Sequence, residues 1–383
     1  MALLESIRLV LLIGSTLPTP APPTLMEMLR SVEVTQREDG QSGFQFTVAL
    51  HRAGLGDVLD HHLLLGPTLK PFNRVIIGVI VQGMPHVLID GIITHRQHAP
   101  GATQGDAMLT VTGEDLSVMM DLEEKRTLHP CCDDMTTAAL IIASYARYQI
   151  APMIVPPLAI DPPLPIVRVP SQKGTDLQHL HLLAKRNGYI FCLEPGPVPL
   201  ANIAYWGPPR RLSVPQRALA IGMGPGSNVE QLDFAYDALA AATVSDDAQD
   251  SVTGQRFPLR TFSGLRLPPL ALSPALPAVL GPARSIVAQG SSGLNVVAAM
   301  GRAQAATDRS TDAVVSAKGR LDVLRYGGVL KARGLVGVRG AGATHDGLYH
   351  VSAVTHRISH GAYAQDFTLN REGEFTTTPM VVP

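Results

Sequence analysis

The sequence predicts a mainly β protein with small α/β parts, and three observations carry that prediction. The 383-residue chain holds 35 glycines and 31 prolines, which favour turns over long helices. Its first third contains several segments of period-two alternation. From Leu321 onward it reads as strands cut by glycine turns, with no interior stretch suited to a helix. Hydrophobic content of 45% against 16% charged residues excludes a disordered chain and allows two or three domains with their own cores.

The chain begins with a short apolar run, Leu9–Ile13 behind Arg8, that is too brief to span a bilayer. Glu5 stands where a signal peptide would carry positive charge, and Pro18, Pro20, Pro22 and Pro23 replace a cleavage site. The expectation is a first strand, no signal peptide, no membrane insertion, and cytoplasmic synthesis and assembly. Residues 31–36 and 43–50 follow as strands joined by the turn Arg37–Gly40, with Phe44, Phe46, Val48 and Leu50 on one face. Further strands are expected over 74–82 and 87–95, joined by Gly83–His86, and over 107–113. About six antiparallel strands suffice for a small closed barrel. Gly113 ends the last of them, and Glu114 and Asp115 suit the positive end of a short helix that follows. A catalytic or metal cluster of Glu114, Asp115 and Asp121 is the alternative, but no histidine or second carboxylate at ligand spacing accompanies it.

In the middle of the chain, residues 134–148 form the clearest helix. Ala138, Ile141, Ile142 and Tyr145 make its buried stripe, and Asp133 or Asp134 its cap. Prolines 152, 156, 157, 162, 163 and 165 then demand an extended connection. A second helix covers about 176–187. Thr175 and Gln178 form its capping box, and Gly188 stands where it stops. Leu177, Leu180, His181 and Ala184 face inward, which leaves His179 in solvent. Residues 258–284 hold six prolines among leucines and alanines and read as an apolar connector. A helix over about 292–306 follows, with Leu294, Val297, Ala298, Gly301 and Ala305 inside. At the end of the chain, Tyr363, Gln365, Phe367 and Leu369 share one face of the last strand. Tyr349, Val351 and Ala353 share a face of the preceding one, and His360-Gly361 makes the turn between the two.

Motifs for chemistry are weak. Cys131, Cys132 and Cys192 lack zinc spacing and their odd count argues against a disulfide framework, so they read as inert thiols. His179 and His181 point apart on one helix. His61-His62 and His95/His98 have no third ligand nearby, so no metal is expected. The loop Gly222–Ser227 lacks a Walker lysine and the dinucleotide pattern. A net charge of −1 supplies no field for nucleic acid. No catalytic residue and no cofactor are expected.

Three blocks resemble the baseplate hub proteins of contractile phage tails and contractile injection systems, namely phage late control protein D and VgrG-like proteins. The most specific runs from Tyr326-Gly327 through Arg333-Gly334, Arg339-Gly340, Asp346-Gly347 and Gly361 to Phe367 and Gly373. A second, Gly174–Phe191, contains Thr175 and Gly188 and resembles the family's small α/β domain. A third, over 224–239 with Asn228-Val229 leading into Leu232, Phe234 and Tyr236, resembles its entry into a second barrel. The resemblance implies two tube-type antiparallel β-barrel domains, with the first over 1–122 and the second over 213–244 and 318–375. An α/β domain over 123–212 and a proline-rich and helical insertion over 245–317 complete the chain. It further implies a structural homotrimer whose six barrels join a hexameric inner tube protein to a trimeric spike, with baseplate wedge proteins around it. VgrG-type proteins continue into further domains, whereas this sequence ends at Pro383, so the spike is expected to be a separate protein. The candidate structural residues are thus Gly113, Asp115, Thr175, Gly188, Asn228, Tyr326, Gly327, Gly334, Gly340, Gly347, Gly361 and Phe367. Replacing Gly361 or Phe367 is expected to prevent assembly. The alternatives are a β-rich cell-wall hydrolase, for which no nucleophile or metal motif is present, and a glycan-binding module. Trp206 is the chain's single tryptophan, thin provision for sugar stacking, and it is expected to pack at a domain seam.

Overall fold

The computed structural model describes residues 7–50, 66–100, 107–157, 163, 169–250, 253–275, 284–288, 290 and 293–377. His61, His62, Pro162, Pro165, Pro277 and Pro282 lie outside them. The first part of the chain forms β1 (Ile7–Gly14), β2 (Thr19–Pro20), α1 (Pro23–Met28), β3 (Leu29–Arg37), β4 (Gly43–Leu50), β5 (Arg74–Val81), β6 (Met84–Ala99) and β7 (Ala107–Asp115). The middle part follows a 3-10 turn at Leu116–Met120. It comprises β8 (Glu124–Leu128), α2 (Asp134–Ala143), β9 (Ile150–Ile154), β10 (Ser171–Thr175), α3 (Asp176–Arg186), β11 (Ile190–Pro195) and β12 (Asn202–Gly207). Next come β13 (Gln216–Ala220), β14 (Gln231–Tyr236), β15 (Ala242–Gln249), β16 (Arg256–Arg260), β17 (Ala271–Pro274), β18 (Arg284–Ile286) and α4 (Val296–Thr311). The chain closes with β19 (Val315–Asp322), α5 (Val323–Tyr326), β20 (Leu335–Arg339), β21 (Gly347–Ser359), β22 (Ala362–Arg371) and β23 (Gly373–Thr376). The mainly β architecture expected from the sequence is the one the chain adopts.

Among the described residues, two six-stranded units share one topology. In the first the order is β1-β5-β6-β7-β4-β3, and in the second β13-β20-β21-β22-β19-β14, so matching strands take matching places. The register repeats as well. A bulge interrupts β6 between Ile93 and His95, and an equivalent one interrupts β21 between Val351 and Ala353. The repeat breaks at its first strand, since β1 runs antiparallel to β5 while β13 runs parallel to β20. The two units are hydrogen-bonded to each other through β3 and β21, which merges them into one 13-stranded sheet. Among the described residues no ladder joins β1 to β3 or β13 to β14, so neither unit is sealed by hydrogen bonds as the small closed barrel would be.

Alternation explains which face is buried. Phe44, Phe46 and Val48 on β4 are at most 3% exposed while Gln45 between them is in solvent. They join Val32 and Val34 of β3 and Val351, Val354, Phe367 and Leu369 of the second unit in one apolar cluster. A second core holds Ile141, Ile142, Leu180, Phe191 and Trp206, with α2 and α3 packed on the sheet β11-β12-β9. Thr175 caps α3 as expected: its hydroxyl accepts from the Gln178 N–H, and Gln178 accepts from the Thr175 N–H.

Several expectations change. α2 stops at Ala143 rather than 148, and a separate 3-10 turn holds Ala146–Tyr148, although Ala138, Ile141, Ile142 and Tyr145 are all buried. α4 runs to Thr311 and buries Ala299, Ala303 and Thr307, while Val297 is 66% exposed. The inner stripe is therefore one of small residues, on which β15 and β16 pack. The expected connector is partly strand, because β17 pairs with β23 and β16 with β15. A one-turn helix, α5, interrupts the terminal strands; Asp322 caps it and Gly327 ends it at φ +77. In β21 the bulge reverses the alternation. Tyr349 and Val351 face the core, but Val354 and Ile358 replace Ala353 on that face.

Candidate assembly surface

Most of the expected structural residues prove to be local supports spread through the fold. Gly113 on β7 leaves no room for a side chain, since a Cβ there would strike the Phe44 ring and the Ile92 carbonyl. Asp115 caps the following turn by accepting from Ser117 N and also accepts from Ser42 N, at 2.9 and 2.8 Å. Burial pushes its carboxyl up, and these hydrogen bonds oppose that rise. Glu114 is likewise raised by burial and by its neighbours Asp115 and Asp121. Asp121 accepts from the Thr175 hydroxyl instead of meeting Asp115, so the three carboxylates form no shared site. Asn228 bridges Ala220 N and Ala218 O at 2.7 and 2.9 Å, holding the loop between β13 and β14. The Tyr326 hydroxyl donates to Arg217 O at 2.6 Å. Gly334, Gly340 and Gly347 lie against Gln216, Ile221 and Thr376 respectively, and Gly188 packs on Ala305 of α4. Gly361 sits at the β21–β22 turn, and Phe367 packs against Gly319.

On α3 the expected packing of His181 is found, but His179 is buried rather than in solvent. His179 is 4% exposed and stacks on His129 at 5.8 Å, while His181 is half-buried and meets the Phe191 ring edge-on. The His129 ring, just after β8, covers position 179, which a helical wheel does not show. Trp206 is fully buried within the α/β core, 5.0 Å from Tyr189, and offers no stacking platform. Among the described residues no group of three His, Cys, Asp or Glu side chains could hold a metal ion. No described helix is long and apolar enough to cross a membrane.

Sequence reading missed the groups that lock the units together. Arg333 on the second unit is 6% exposed and donates to Arg37 O, Ser42 Oγ and Leu193 O, tying three parts of the chain with one guanidinium. His356 lies opposite Val34 at the β3–β21 seam, fully buried, with Nδ1 2.8 Å from the Tyr363 hydroxyl. Burial lowers its pKa to about 3, with repulsion from His86 adding to the effect. The folded value lies below the ordinary 6.5, so above pH 6.5 the ring is neutral in both states and stability is unaffected. Below that the unfolded chain takes up a proton that the folded chain refuses. Stability therefore falls through the window from 6.5 to about 3, by about 1.4 kcal/mol per pH unit. On urea denaturation at pH 7 and pH 5, His356→Gln should lose about 2 kcal/mol less than wild type between the two. Equal losses would remove His356 as the source.

The surface that stands out is the sheet itself. One continuous stretch runs β14-β19-β22-β21-β3-β4-β7-β6. Its outer face carries an ion-pair chain, in which Arg320 meets Glu230 and Asp366 at 3.5 and 3.9 Å, and Arg357 meets Asp366 and Glu33 at 2.7 and 3.3 Å. Both ends of the stretch are open. β14 pairs only with β19 among the described residues. β6 pairs with β5 as far as Ile92, Ile93 bonds to Phe72 and Asn73, and beyond it the side turned away from β7 has no ladder partner among the described residues. The same side of β21, beyond its bulge, is where β3 docks within the chain. Since β14 and β6 are the counterparts of β3 and β21, the two open edges match each other in kind.

The sequence matches no protein-family model and no curated protein. By structure, the chain is similar to a tail protein from Neisseria meningitidis, with a TM-score of 0.65, 13% identity, and 97% of this chain and 98% of that one covered. The 43 kDa tail protein of prophage MuSo2 from Shewanella oneidensis gives 0.62 at 12% identity, covering 95% and 98%. The E. coli c3393 protein is described as a type VI secretion component similar to the T4 tail proteins gp27 and gp5. It gives 0.54 at 12% identity over 93% and 77%. The fold is that of phage tail proteins and their secretion-system counterparts. The resemblance to baseplate hub proteins in the terminal segment points to the same group.

Proposed function

We propose that this chain is a structural hub subunit of a contractile tail-like particle, with three copies closing a ring in which β14 of each pairs with the free part of β6 of the next. The observation that carries the reading is the pair of matching open edges at opposite ends of one sheet. A head-to-tail contact between them is heterologous, and such contacts close into rings when the rotation permits. Each copy brings two repeats, so three copies present six to a hexameric tube and three to a trimeric spike. In this reading the repeats occupy 1–122 and 213–244 with 318–375. The α/β unit (123–212) and the insertion (245–317) stand outside the ring, where spike and wedge proteins dock. The likeness to tail proteins supports the same role without turnover chemistry.

The repeated register gives the contact at residue level. Within the chain Thr35 faces Thr355 with hydroxyls 3.2 Å apart, and Ala235 and Gln97 hold their places at the open edges. Both are exposed. The double variant Ala235→Cys/Gln97→Cys should form covalent trimers under oxidation, seen on a non-reducing gel, while neither single variant does. Cys131 is exposed in every variant and serves as a common background. A folded double variant that stays unlinked, or that links only into open chains, would defeat the ring.

A further inference from the structure

The first unit keeps a gap that the ring does not use. β1 pairs with β5 along its whole length, but on its other side only Leu12 and Ile13 meet β2. The Leu11 carbonyl accepts from Ala21 N and the Ile13 carbonyl from the Thr19 hydroxyl, both on that second side. Period two then turns the N–H and C=O groups of Ile7 and Leu9 the same way, where no ladder partner exists among the described residues. Opposite them, Leu29 and Arg30 lie beyond the end of the β3–β21 ladder at Ser31 and Ser359. Between these walls runs a groove of about 510 Å³ lined by Ile7, Leu9, Met26, Leu29, Leu324 and Tyr363.

We infer that this groove takes one extended strand from a separate protein, apolar at alternate positions and flanked by a carboxylate. The backbone groups of Ile7 and Leu9, without a ladder partner on this side among the described residues, call for a strand rather than a helix, because only an extended chain presents N–H and C=O at matching intervals. Met26, Leu29 and Leu324 call for apolar side chains on it. Charge sets the flank. Exposed Arg30 at the rim has no carboxylate partner among the described residues, and Asp322, the acidic residue of the lining, accepts from Arg325 N to cap α5. A second copy fits less well, since its open edges β14 and β6 are matched to each other. The inference does not depend on the ring, and it concerns a different edge.

The test uses a fluorescent acetyl-Glu-Val-Thr-Val-Thr-Val-Glu-amide peptide titrated with the full chain and read by anisotropy. Saturable binding is expected, weakened by about tenfold or more when alternate peptide amides are N-methylated. Met26→Glu and Arg30→Glu should each weaken it comparably with an unchanged circular dichroism spectrum. Absence of saturation, or equal binding of the N-methylated peptide, would overturn the inference. So would self-association of the chain that these substitutions abolish, which would give the groove to a second copy. Binding that appears only after residues 1–6 are removed would also overturn it, in favour of the chain's own end.

Discussion

Asp90→Ala should lower the unfolding free energy by about 3–5 kcal/mol, a large part of the stability of an ordinary domain. Asp90 and Arg74 form a two-pronged pair at 2.7 Å on both prongs, and they are 3% and 6% exposed. Asn202 of β12 donates to the same carboxylate at 2.9 Å, so the pair also joins the first unit to the α/β unit. Removing the carboxylate leaves a guanidinium that can neither reach water nor lose its proton. Replacing both members by leucine should recover most of the loss, because the desolvation of both charges disappears together. Chemical denaturation of the single and double variants checks this. A single-variant loss below about 1 kcal/mol would mean that water reaches Arg74.

Phe367→Ala should cost about 3–5 kcal/mol by emptying the core of the second unit. The ring is 3% exposed, and it fills space that Gly319 on the neighbouring strand leaves open: a Cβ on Gly319 would lie 2.5 Å from the Phe367 ring. Neighbouring strands cannot close over the hole, since both are held in long antiparallel ladders. Assembly should fail as a consequence of this loss rather than through a broken contact between copies. Gly361 is a different case. A methyl group there meets nothing within 4 Å, and only the φ of +76 resists substitution. Gly361→Ala should therefore cost only about 1 kcal/mol, and the expectation that it blocks assembly as Phe367 replacement does is revised to a mild effect. Denaturation midpoints of the two variants side by side decide the order; a larger loss for Gly361→Ala would reverse it.

Local pattern made much of this legible. The alternation in β4 and β22 and the capping box of α3 each depend on neighbours two to four residues away, and each is found where expected. The terminal motif was specific enough to carry the resemblance without any chemistry-bearing residue. Errors came where one residue shifted a period. The bulge at Ser352 inserts an extra residue and sends Val354, not Ala353, into the core, and nothing in the local composition marks it. His179 was misplaced because helix periodicity ranks faces by hydrophobicity, while the stacking of His129 from beside β8 buried a polar position.

Composition and periodicity settle that this chain is strand-rich and where most of its turns fall, because those properties follow from backbone preference and side-chain polarity over short spans. The docking of β3 on β21 and the junctions built on Arg333 and Asp90 join residues up to hundreds of positions apart. No local rule contains those distances. They arise only when two repeats of one topology meet, leaving the same kind of edge filled on the inside and open at both ends.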